Sequence, residues 1–310
     1  MESKEKIIFF NHWGLGDFVM SLPLIKKLSE KYVLSVVLGS KINEQILKDE
    51  IKNIEVLIFK KDLFFLFKLT KILIKNKYLI IPSFFNIRMY LILKFLCFFT
   101  NTKIFYKRNI KEHRVISTWI ELLKKKFLIS GTNLNMYHNN IKTNSSKKID
   151  VLIHPGSDKR FIWKRYPIYK INKLIRFLDL QKLTNFSIIL GPDDKNIESK
   201  INIKFRKNIL YSKSHLELKY ILQKSKILIS SDSGIGHYAS YLGVKTISLF
   251  GPTNSEITHP YNKNTILKGD ETLKCLPCIN TKLWGNCDKR LKCFKTLNER
   301  KIVKTINKTL

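Results

Sequence analysis

Short apolar segments that end in polar, glycine-bearing turns recur along this chain of 310 residues, and helical apolar spacing follows several of those turns. The predicted strands are 6–10, 33–38, 54–59, 149–153, 186–190, 226–230 and 244–250. The predicted helices are about 17–31, 168–183, 234–242 and a last helix capped by Asn298. Such alternation is typical of an α/β fold with parallel sheets covered by helices.

The polar segment 138–148 separates two such series. Its sequence, HNNIKTNSSKK, has no apolar periodicity and is typical of a connection between domains. The chain length also favours two domains. We therefore predict a Rossmann-like, acceptor-side domain at 1–145 and a Rossmann-like, nucleotide-sugar-binding domain at 146–310 that ends in a closing helix.

The first turn, after the strand at 6–10, contains Gly14, Gly16 and Asp17. Glycines let the backbone approach a ligand closely, and the start of a helix attracts anions. The third glycine of a dinucleotide fingerprint is missing, which argues against a dehydrogenase. Asp17 is either the N-cap of the helix, which the spacing alone favours, or a carboxylate that takes a proton from an acceptor hydroxyl.

Two turns in the C-terminal half have the composition of anion sites. Ser157 lies in a small-residue turn and is followed by Lys164 and Arg165, which could neutralise a diphosphate or simply form a solvated basic turn. The block SDSGIGH at 231–237 places free N–H groups at a predicted helix start. Capping is the alternative role for its Asp and Ser, and a buried core position is the alternative for its His.

In their order along the chain, these turns resemble the motifs of glycosyltransferase family 9, the ADP-heptose:lipopolysaccharide heptosyltransferases. The corresponding segments are Gly14-Leu15-Gly16-Asp17 with Pro23, Pro155-Gly156-Ser157, Lys164-Arg165-Tyr166-Pro167, Gly191-Pro192-Asp193-Asp194, Asp232 through His237, and Phe250 through Thr253. The similarity extends from residue 7 to the last helix, and the block at Asp232 is its most specific part.

The resemblance implies a GT-B fold, in which the parallel sheets of two Rossmann-like domains face a central cleft, and an inverting, metal-independent transfer. It implies that Asp17 is the general base, that Lys164 stabilises the leaving diphosphate and that Asp194 contacts the ribose of the donor. The other donor-binding residues would be Ser157, Asp232, Ser233, Gly234 and His237. Gly14 and Gly16 would belong to the acceptor loop.

The resemblance also implies the substrates. The enzyme would move a sugar, in the first place heptose from ADP-heptose, onto a lipopolysaccharide or lipooligosaccharide core or a related cell-surface glycan. Its partners would be a nucleotide-diphosphate sugar and an anionic glycolipid acceptor. Because the start of the sequence lacks the pattern of a secretory signal, we expect a cytoplasmic protein that binds the inner face of the cytoplasmic membrane peripherally.

The net charge of +33 attracts polyanions, although the abundant Lys, Ile and Asn are also what an AT-rich genome produces. Since no basic run carries interleaved aromatic residues, we predict no specific nucleic-acid partner. The segment 78–100 predicts a strand followed by an amphipathic helix, which is either a core helix or lies on a membrane surface. The alternative function is that of a non-catalytic basic protein that binds anionic membrane or nucleic acid.

The cysteines at the C-terminal end form a cluster with the spacing C-x2-C-x8-C-x5-C. Its members are Cys275, Cys278, Cys287 and Cys293. They could hold a structural zinc ion, and free or redox-active thiols are the alternative. We expect that the transfer itself requires no cofactor. The fifth cysteine, Cys97, is expected in the core.

Overall fold

The computed structural model describes residues 4–81, 87–106, 148–181, 185–260, 264–278, 281–284, 286–287 and 291–310. These residues form two compact units, and each unit has its own parallel sheet. The predicted domain boundary after residue 145 lies outside the described residues and stays a prediction. Within the described ranges, no helix is both long and apolar enough to cross a bilayer.

The first unit contains a five-stranded sheet in the order β3-β2-β1-β4-β5. Its strands are β1 (Lys6–Asn11), β2 (Val33–Leu38), β3 (Glu55–Ile58), β4 (Tyr78–Ile81) and β5 (Lys103–Tyr106). Its helices, within the described residues, are α1 (Leu15–Lys31), α2 (Lys41–Glu50), α3 (Leu63–Leu73) and α4 (Ile87–Phe99). The central strand β1 is buried on both sides, which explains why residues 7–10 are all apolar.

The helices of the first unit cover both faces of its sheet. From β1 the chain moves outwards to β3 and then crosses to β4 on the other side of β1. Crossover connections between parallel strands are right-handed. The connections through α1 and α2 run towards the β3 edge, and those through α3 and α4 run towards the β5 edge, so the two pairs of helices lie on opposite faces. In agreement with this, α1 contacts α2, and α3 contacts α4.

The second unit contains a six-stranded parallel sheet in the order β11-β10-β9-β6-β7-β8. Its strands are β6 (Ile149–His154), β7 (Phe186–Leu190), β8 (Ile209–Tyr211), β9 (Ser225–Ser231), β10 (Lys245–Phe250) and β11 (Asn264–Lys268). Its α-helices in the described residues are α5 (Ile168–Gln181), α6 (Lys195–Glu198), α7 (His215–Gln223), α8 (Gly234–Tyr241), α9 (Ser255–Thr258) and α10 (Glu299–Thr309). Short 3-10 helices cover Lys159–Lys164, Pro192–Asp194, Ile203–Asn208 and Lys292–Phe294.

The C-terminal helix α10 closes the second unit by packing against α5. Asn298 caps it by accepting a hydrogen bond from the backbone N–H of Lys301, as the sequence predicts. The ammonium group of Lys170, on α5, donates to three backbone carbonyls in the segment that leads into α10. The hydroxyl of Tyr166 donates to the Leu297 carbonyl in the same segment. These bonds fix the end of the chain to the start of α5.

The predicted strands and helices are all present, with bounds that differ by a few residues. The strands β5, β8 and β11 and the helices α2, α3, α6, α7 and α9 have no counterpart among the predicted elements. The predicted amphipathic helix is present as α4, which packs one face into the core through Leu93 and Cys97 while its other residues are partly or largely exposed. That the exposed side lies on a membrane surface stays a prediction. Cys97 itself is buried, as expected.

Candidate active site

The carboxyl ends of β6 and β9 bring two of the predicted turns together. The strands are parallel neighbours, with His154 opposite Ser230. Lys164 ends the 3-10 helix that follows β6, and Asp232 follows β9 directly. Lys164 Nζ lies 2.9 Å from Asp232 Oδ2, and the two side chains are 15% and 5% exposed. The strand order reverses between β6 and β9, and open α/β sheets bind their ligands at such a point.

A third strand end contributes Thr258, the last residue of α9. Its hydroxyl lies 3.3 Å from Asp232 Oδ2 and 3.1 Å from the Asn254 carbonyl oxygen, and these two acceptors share its one proton. No local sequence pattern indicates Thr258, because it belongs to no glycine-bearing turn and reaches Asp232 only through the tertiary fold. The carboxylate of Asp232 is thus held by an ammonium group and a hydroxyl from two other strand ends.

Ser233 is the N-cap residue of α8, but its hydroxyl makes no capping hydrogen bond. The oxygen is buried and has no hydrogen-bond partner in the described part of the chain. The proposed capping by side chains is therefore wrong for Ser233, and the carboxylate of Asp232 pairs with Lys164 instead. Since the first N–H groups of a helix also lack partners within it, this helix start is suited to an anionic oxygen.

Gly236 brings the start of α8 close to β9. A Cβ at this position would lie 2.8 Å from Ser230 Oγ, a distance shorter than normal Cβ contacts. A larger residue would move the helix start away from the strand end. The sequence SDSGIGH therefore contains a glycine with a packing role, in addition to Gly234, the first residue of the helix.

His237 is buried beside the ion pair, one turn into α8. Burial lowers its pKa to about 4; Lys164 and His259 act in the same direction, against Asp232 and a hydrogen bond to the Thr258 backbone. The imidazole is consequently neutral at pH 7. The alternative of a buried histidine with a partner is thus confirmed for His237. Its contact with the donor stays a prediction.

The consecutive residues Lys164 and Arg165 have different partners. Arg165 Nη2 donates to the Ser157 backbone carbonyl at 2.5 Å, and Arg165 Nε donates to Ser157 Oγ at 3.1 Å. The Ser157 hydroxyl in turn donates to the carbonyl of Phe161 at 3.0 Å. Arg165 and Ser157 therefore fix the shape of their own turn, and only Lys164 of the two basic residues pairs with Asp232.

The carboxylate of Asp194 holds together the turns after β6 and β7. It is 3% exposed. Its Oδ2 accepts a 3.0 Å hydrogen bond from the Gly191 backbone N–H, and its Oδ1 lies 3.6 Å from Arg165 Nη2. A Cβ at Gly156 would lie 2.1 Å from Asp194 Oδ1, so any other residue there would have to displace the buried carboxylate. In this structure Asp194 faces neighbouring turns, and its contact with a ribose stays a prediction.

In the first unit, the glycine turn after β1 leads directly into α1. The helix begins at Leu15 with Gly14 as its N-cap, so Asp17 lies in the first helical turn and the N-cap alternative for Asp17 is wrong. Asp17 is half-buried, and Gly16 precedes it in the same turn. A Cβ at Gly14 would meet no atom within 4 Å. A carboxylate in this first turn is stabilised by the helix dipole.

Asn11 and Gly39, which are not among the predicted site residues, fix the shape of this turn. Asn11 Nδ2 donates to Ser21 Oγ at 2.8 Å, and Asn11 Oδ1 accepts from the Trp13 backbone N–H at 3.2 Å. A Cβ at Gly39, after β2, would lie 2.1 Å from the carbonyl oxygen of His12. Asn11 ends the first strand and Gly39 follows the second, so strand-end position was the signal that could have identified both.

The clustered cysteines line one cavity of about 30 Å³ together with Trp163 and Trp284. Burial raises the pKa of Cys293 to about 12, and the other three thiols of the cluster act in the same direction. Within the described residues, no group of three or more His, Cys, Asp or Glu side chains has the arrangement of a metal site. Residues 279–280, 285 and 288–290 of this segment lie outside that description. The cavity wall reaches Trp163, which is the neighbour of Lys164 in sequence.

Residues 115–285 match the sequence model of glycosyltransferase family 9 (heptosyltransferase). This match spans more than half of the chain, and the chain therefore belongs to glycosyltransferase family 9. The resemblance that the turn motifs predict is confirmed. Membership of an enzyme family favours a transferase over the non-catalytic alternative.

Curated relatives match over shorter stretches. The lipopolysaccharide heptosyltransferase 1 of Pseudomonas aeruginosa is 30% identical over 93 residues, which cover 26% of each protein. The lipooligosaccharide heptosyltransferase 2 of Campylobacter jejuni is 31% identical over 83 residues, which cover 26% of this chain and 25% of the relative. The chain thus spans about a quarter of the length of the curated relatives it matches.

Solved structures share the fold over nearly the whole chain. The E. coli heptosyltransferase WaaC with ADP has a TM-score of 0.69 at 12% identity and covers 98% of this chain and 100% of its own. A glycosyltransferase family 9 structure from Veillonella parvula has a TM-score of 0.70 at 16% identity, and the match covers 100% of this chain and 98% of the Veillonella chain. The iron-containing dodecameric TibC of enterotoxigenic E. coli has a TM-score of 0.57 at 12% identity, and the match covers 100% of this chain and 76% of the TibC chain. These likenesses confirm the predicted GT-B class.

The buried His237 makes stability depend on pH. Its folded pKa of about 4 lies below the ordinary value of 6.5, so between these values the unfolded chain binds a proton that the folded chain does not. The free energy of unfolding is expected to fall as the pH is lowered through this window, by about 1.4 kcal/mol per pH unit from this residue. Urea unfolding of the wild type and His237→Gln at several pH values measures the contribution. Equal pH slopes in the two proteins would contradict it.

Proposed function

We propose that this protein is an inverting heptosyltransferase that moves heptose from ADP-heptose to a lipopolysaccharide or lipooligosaccharide core. Family membership and the names of the curated relatives support this proposal. The observation that carries it is the ion pair of Lys164 and Asp232, which lies beside the start of α8 and the unpaired Ser233 hydroxyl. A cation and free N–H groups at one strand-end crevice are what a diphosphate requires.

The donor side follows from these groups. The diphosphate would lie at the N-terminus of α8, where Ser233 and Gly234 supply a hydroxyl and backbone N–H groups. Lys164 would approach the oxygen that joins the diphosphate to the anomeric carbon. As the C–O bond breaks, negative charge grows on that oxygen, and a fixed ammonium group stabilises it more in the transition state than in the bound donor. We therefore propose that the transfer needs no metal ion.

The neutral imidazole of His237 fits a role in binding the sugar. At pH 7 it carries no charge, so it can donate or accept a hydrogen bond without competing with Lys164 for the phosphate oxygens. Asp232, already paired with Lys164 and Thr258, would keep the ammonium group at its position. The fixed turn of Ser157 and Arg165 would form the wall behind the diphosphate.

On the acceptor side, Asp17 would act as the general base. The acceptor hydroxyl would attack the anomeric carbon from the face opposite the diphosphate, its proton would pass to the Asp17 carboxylate, and ADP would leave. This single displacement inverts the anomeric centre. Gly14 and Gly16 would let the acceptor approach the backbone, which agrees with the open space next to Gly14. The acceptor would be an anionic glycolipid, reached by a cytoplasmic protein at the inner membrane face.

The role of Lys164 is tested with Lys164→Gln, which keeps a hydrogen-bond donor near Asp232 and removes the positive charge. We expect kcat to fall by about 10²–10³-fold, because the developing charge on the diphosphate loses its cation. Lys159→Ala, an exposed lysine of the same 3-10 helix, is the matched control and should retain full activity. ADP-heptose should raise the Tm of the wild type more than UDP- or GDP-sugars do. Full activity of Lys164→Gln would refute the assignment.

The role of Asp17 is tested with Asp17→Asn. The substitution removes the proton acceptor with little change of shape, so we expect kcat to fall by about 10²–10⁴-fold while the Tm shift by ADP-heptose is retained. The exposed residue Asp49, on α2, provides the control variant Asp49→Asn. Loss of donor binding in Asp17→Asn, or unchanged kcat, would show that Asp17 is not the base.

Metal independence is tested by assays in chelator and by metal analysis. Transfer is expected to continue after EDTA treatment, since Lys164 supplies the positive charge at the diphosphate. If the clustered thiols hold a structural zinc ion, the metal content of the purified protein should fall when the cysteines are replaced by serine. Iron is measured in the same samples, because the structural relative TibC contains iron. Activity that returns only with added metal would contradict the proposal.

A further inference from the structure

One side of α3 is apolar and open to solvent. Its apolar residues there, with Ile74 just beyond the helix, are all more than half exposed: Leu63, Phe64, Phe67 and Ile74. The apolar residues on the opposite side are buried against the sheet: Phe65, Leu69 and Leu73. The outer face of a surface helix is normally polar, so α3 has a second apolar face without a counterpart in the core.

The neighbouring helix α4 shows the same pattern. Its exposed apolar residues are Ile87, Leu91, Ile92, Phe95, Phe98 and Phe99. The positions 87, 91, 95 and 98 recur at helical spacing and define one stripe. Leu93 and Cys97, on the other side, belong to the core. The rings of Phe95 and Phe99 are 4.7 Å apart between centroids, so the exposed aromatic side chains also contact each other.

The two helices contact each other on the same face of the first sheet. Their buried residues belong to one core cluster. We refer to the exposed residues of 60–75 and 87–99 as the α3–α4 face. Ten large apolar side chains are exposed on this face, with Leu63 at 84% and Phe98 at 81%. A contiguous apolar surface of this kind marks a contact site.

Basic residues border and cross the α3–α4 face. Neither α3 nor α4 contains an Asp or Glu, and the exposed Asp62 just before α3 is the one acidic residue of the face. The exposed basic residues on the two helices are Lys68, Lys71, Arg88 and Lys94. Lys68 Nζ lies 4.3 Å from the ring centroid of Phe64, and Lys71 Nζ lies 4.2 Å from that of Phe67. The methylene stems of these lysines thus run beside the aromatic rings. Lysines at a membrane surface have the same arrangement, with the stem on apolar surface and the ammonium group among the polar headgroups.

We propose that the α3–α4 face binds the surface of an anionic lipid membrane. Apolar and aromatic side chains enter the boundary between headgroups and acyl chains, and the surrounding Lys and Arg pair with lipid phosphates. A second copy of the chain fits less well, since both copies would present lysines, which protein interfaces exclude, and the chain carries a net charge of +33. This inference rests on the proposed function in one respect: the lipid acceptor of the proposed reaction lies in a membrane.

Vesicle binding tests the apolar part of the face. Wild-type protein should sediment with vesicles of phosphatidylcholine that contain about 30% phosphatidylglycerol, and much less with phosphatidylcholine alone. Phe95→Ser/Phe98→Ser should lower the partition coefficient at least about tenfold, because two exposed aromatic side chains no longer enter the bilayer. Leu180→Ser/Ile203→Ser removes two equally exposed apolar residues of the second unit and should bind like the wild type.

A charge variant tests the basic part. Lys68→Glu/Lys71→Glu should lower binding to the anionic vesicles at least about tenfold, and raised salt should weaken wild-type binding. Lys41→Glu/Lys52→Glu makes the same change of net charge at exposed positions at the two ends of α2 and should keep most of the binding. If both charge variants lose vesicle binding equally, binding depends on the total charge of the protein, and the assignment to this face is overturned.

Two further results separate this inference from the proposed function. Each face variant should keep the Tm shift by ADP-heptose and the transfer to a soluble, deacylated acceptor, because the substituted residues lie outside the candidate active site. If the wild type transfers heptose but does not bind vesicles, the membrane-binding inference is overturned and the proposed function is not. Wild-type dimers that Phe95→Ser/Phe98→Ser converts to monomers, with no vesicle binding, would show that a second copy occupies the face and would equally overturn the inference.

Discussion

The ion pair of Lys164 and Asp232 is the interaction on which the second unit's candidate site depends. A carboxylate that is almost wholly shielded from water needs a cation beside it, and removing one partner of such a pair commonly costs about 3–5 kcal/mol. The pair also joins the turns after β6 and β9, where the strand order reverses. The ammonium group is therefore oriented and partly desolvated before a ligand binds, which is the condition for effective electrostatic stabilisation.

A second buried carboxylate, Asp194, supports the same region from the side of β7. The adjacent residues Lys164 and Arg165 contact different carboxylates. Lys164 pairs with Asp232, and Arg165 lies near Asp194. One short segment after β6 thus connects three strand ends through charged contacts. Because each carboxylate has additional hydrogen-bond donors, the turns are held in one arrangement and little is left to chain flexibility.

The sequence predicted the strands well because strands buried on both faces are continuous apolar runs, as in β1. The three-residue strand β8 is too short to show such a run. The predicted start of α1 at about 17 is two residues late, since the helix begins at Leu15, and that difference is enough to favour a capping role for Asp17. The predicted starts of α5, α8 and α10 agree with the structure. Contacts between distant segments, such as Thr258 with Asp232, leave no local pattern in the sequence. The family resemblance depended on turn composition, which local chemistry determines, and the comparisons confirmed it.

The close approach of Gly156 to Asp194 has an evolutionary consequence. A methyl group at 156 would occupy the space of the carboxylate, so the two positions cannot diverge independently. A lineage that replaces the glycine must first shorten or lose the acid, and Arg165 would then lose its counter-charge and keep only its hydrogen bonds to Ser157. Correlated substitution at these three positions among related chains is the expected historical trace of this packing.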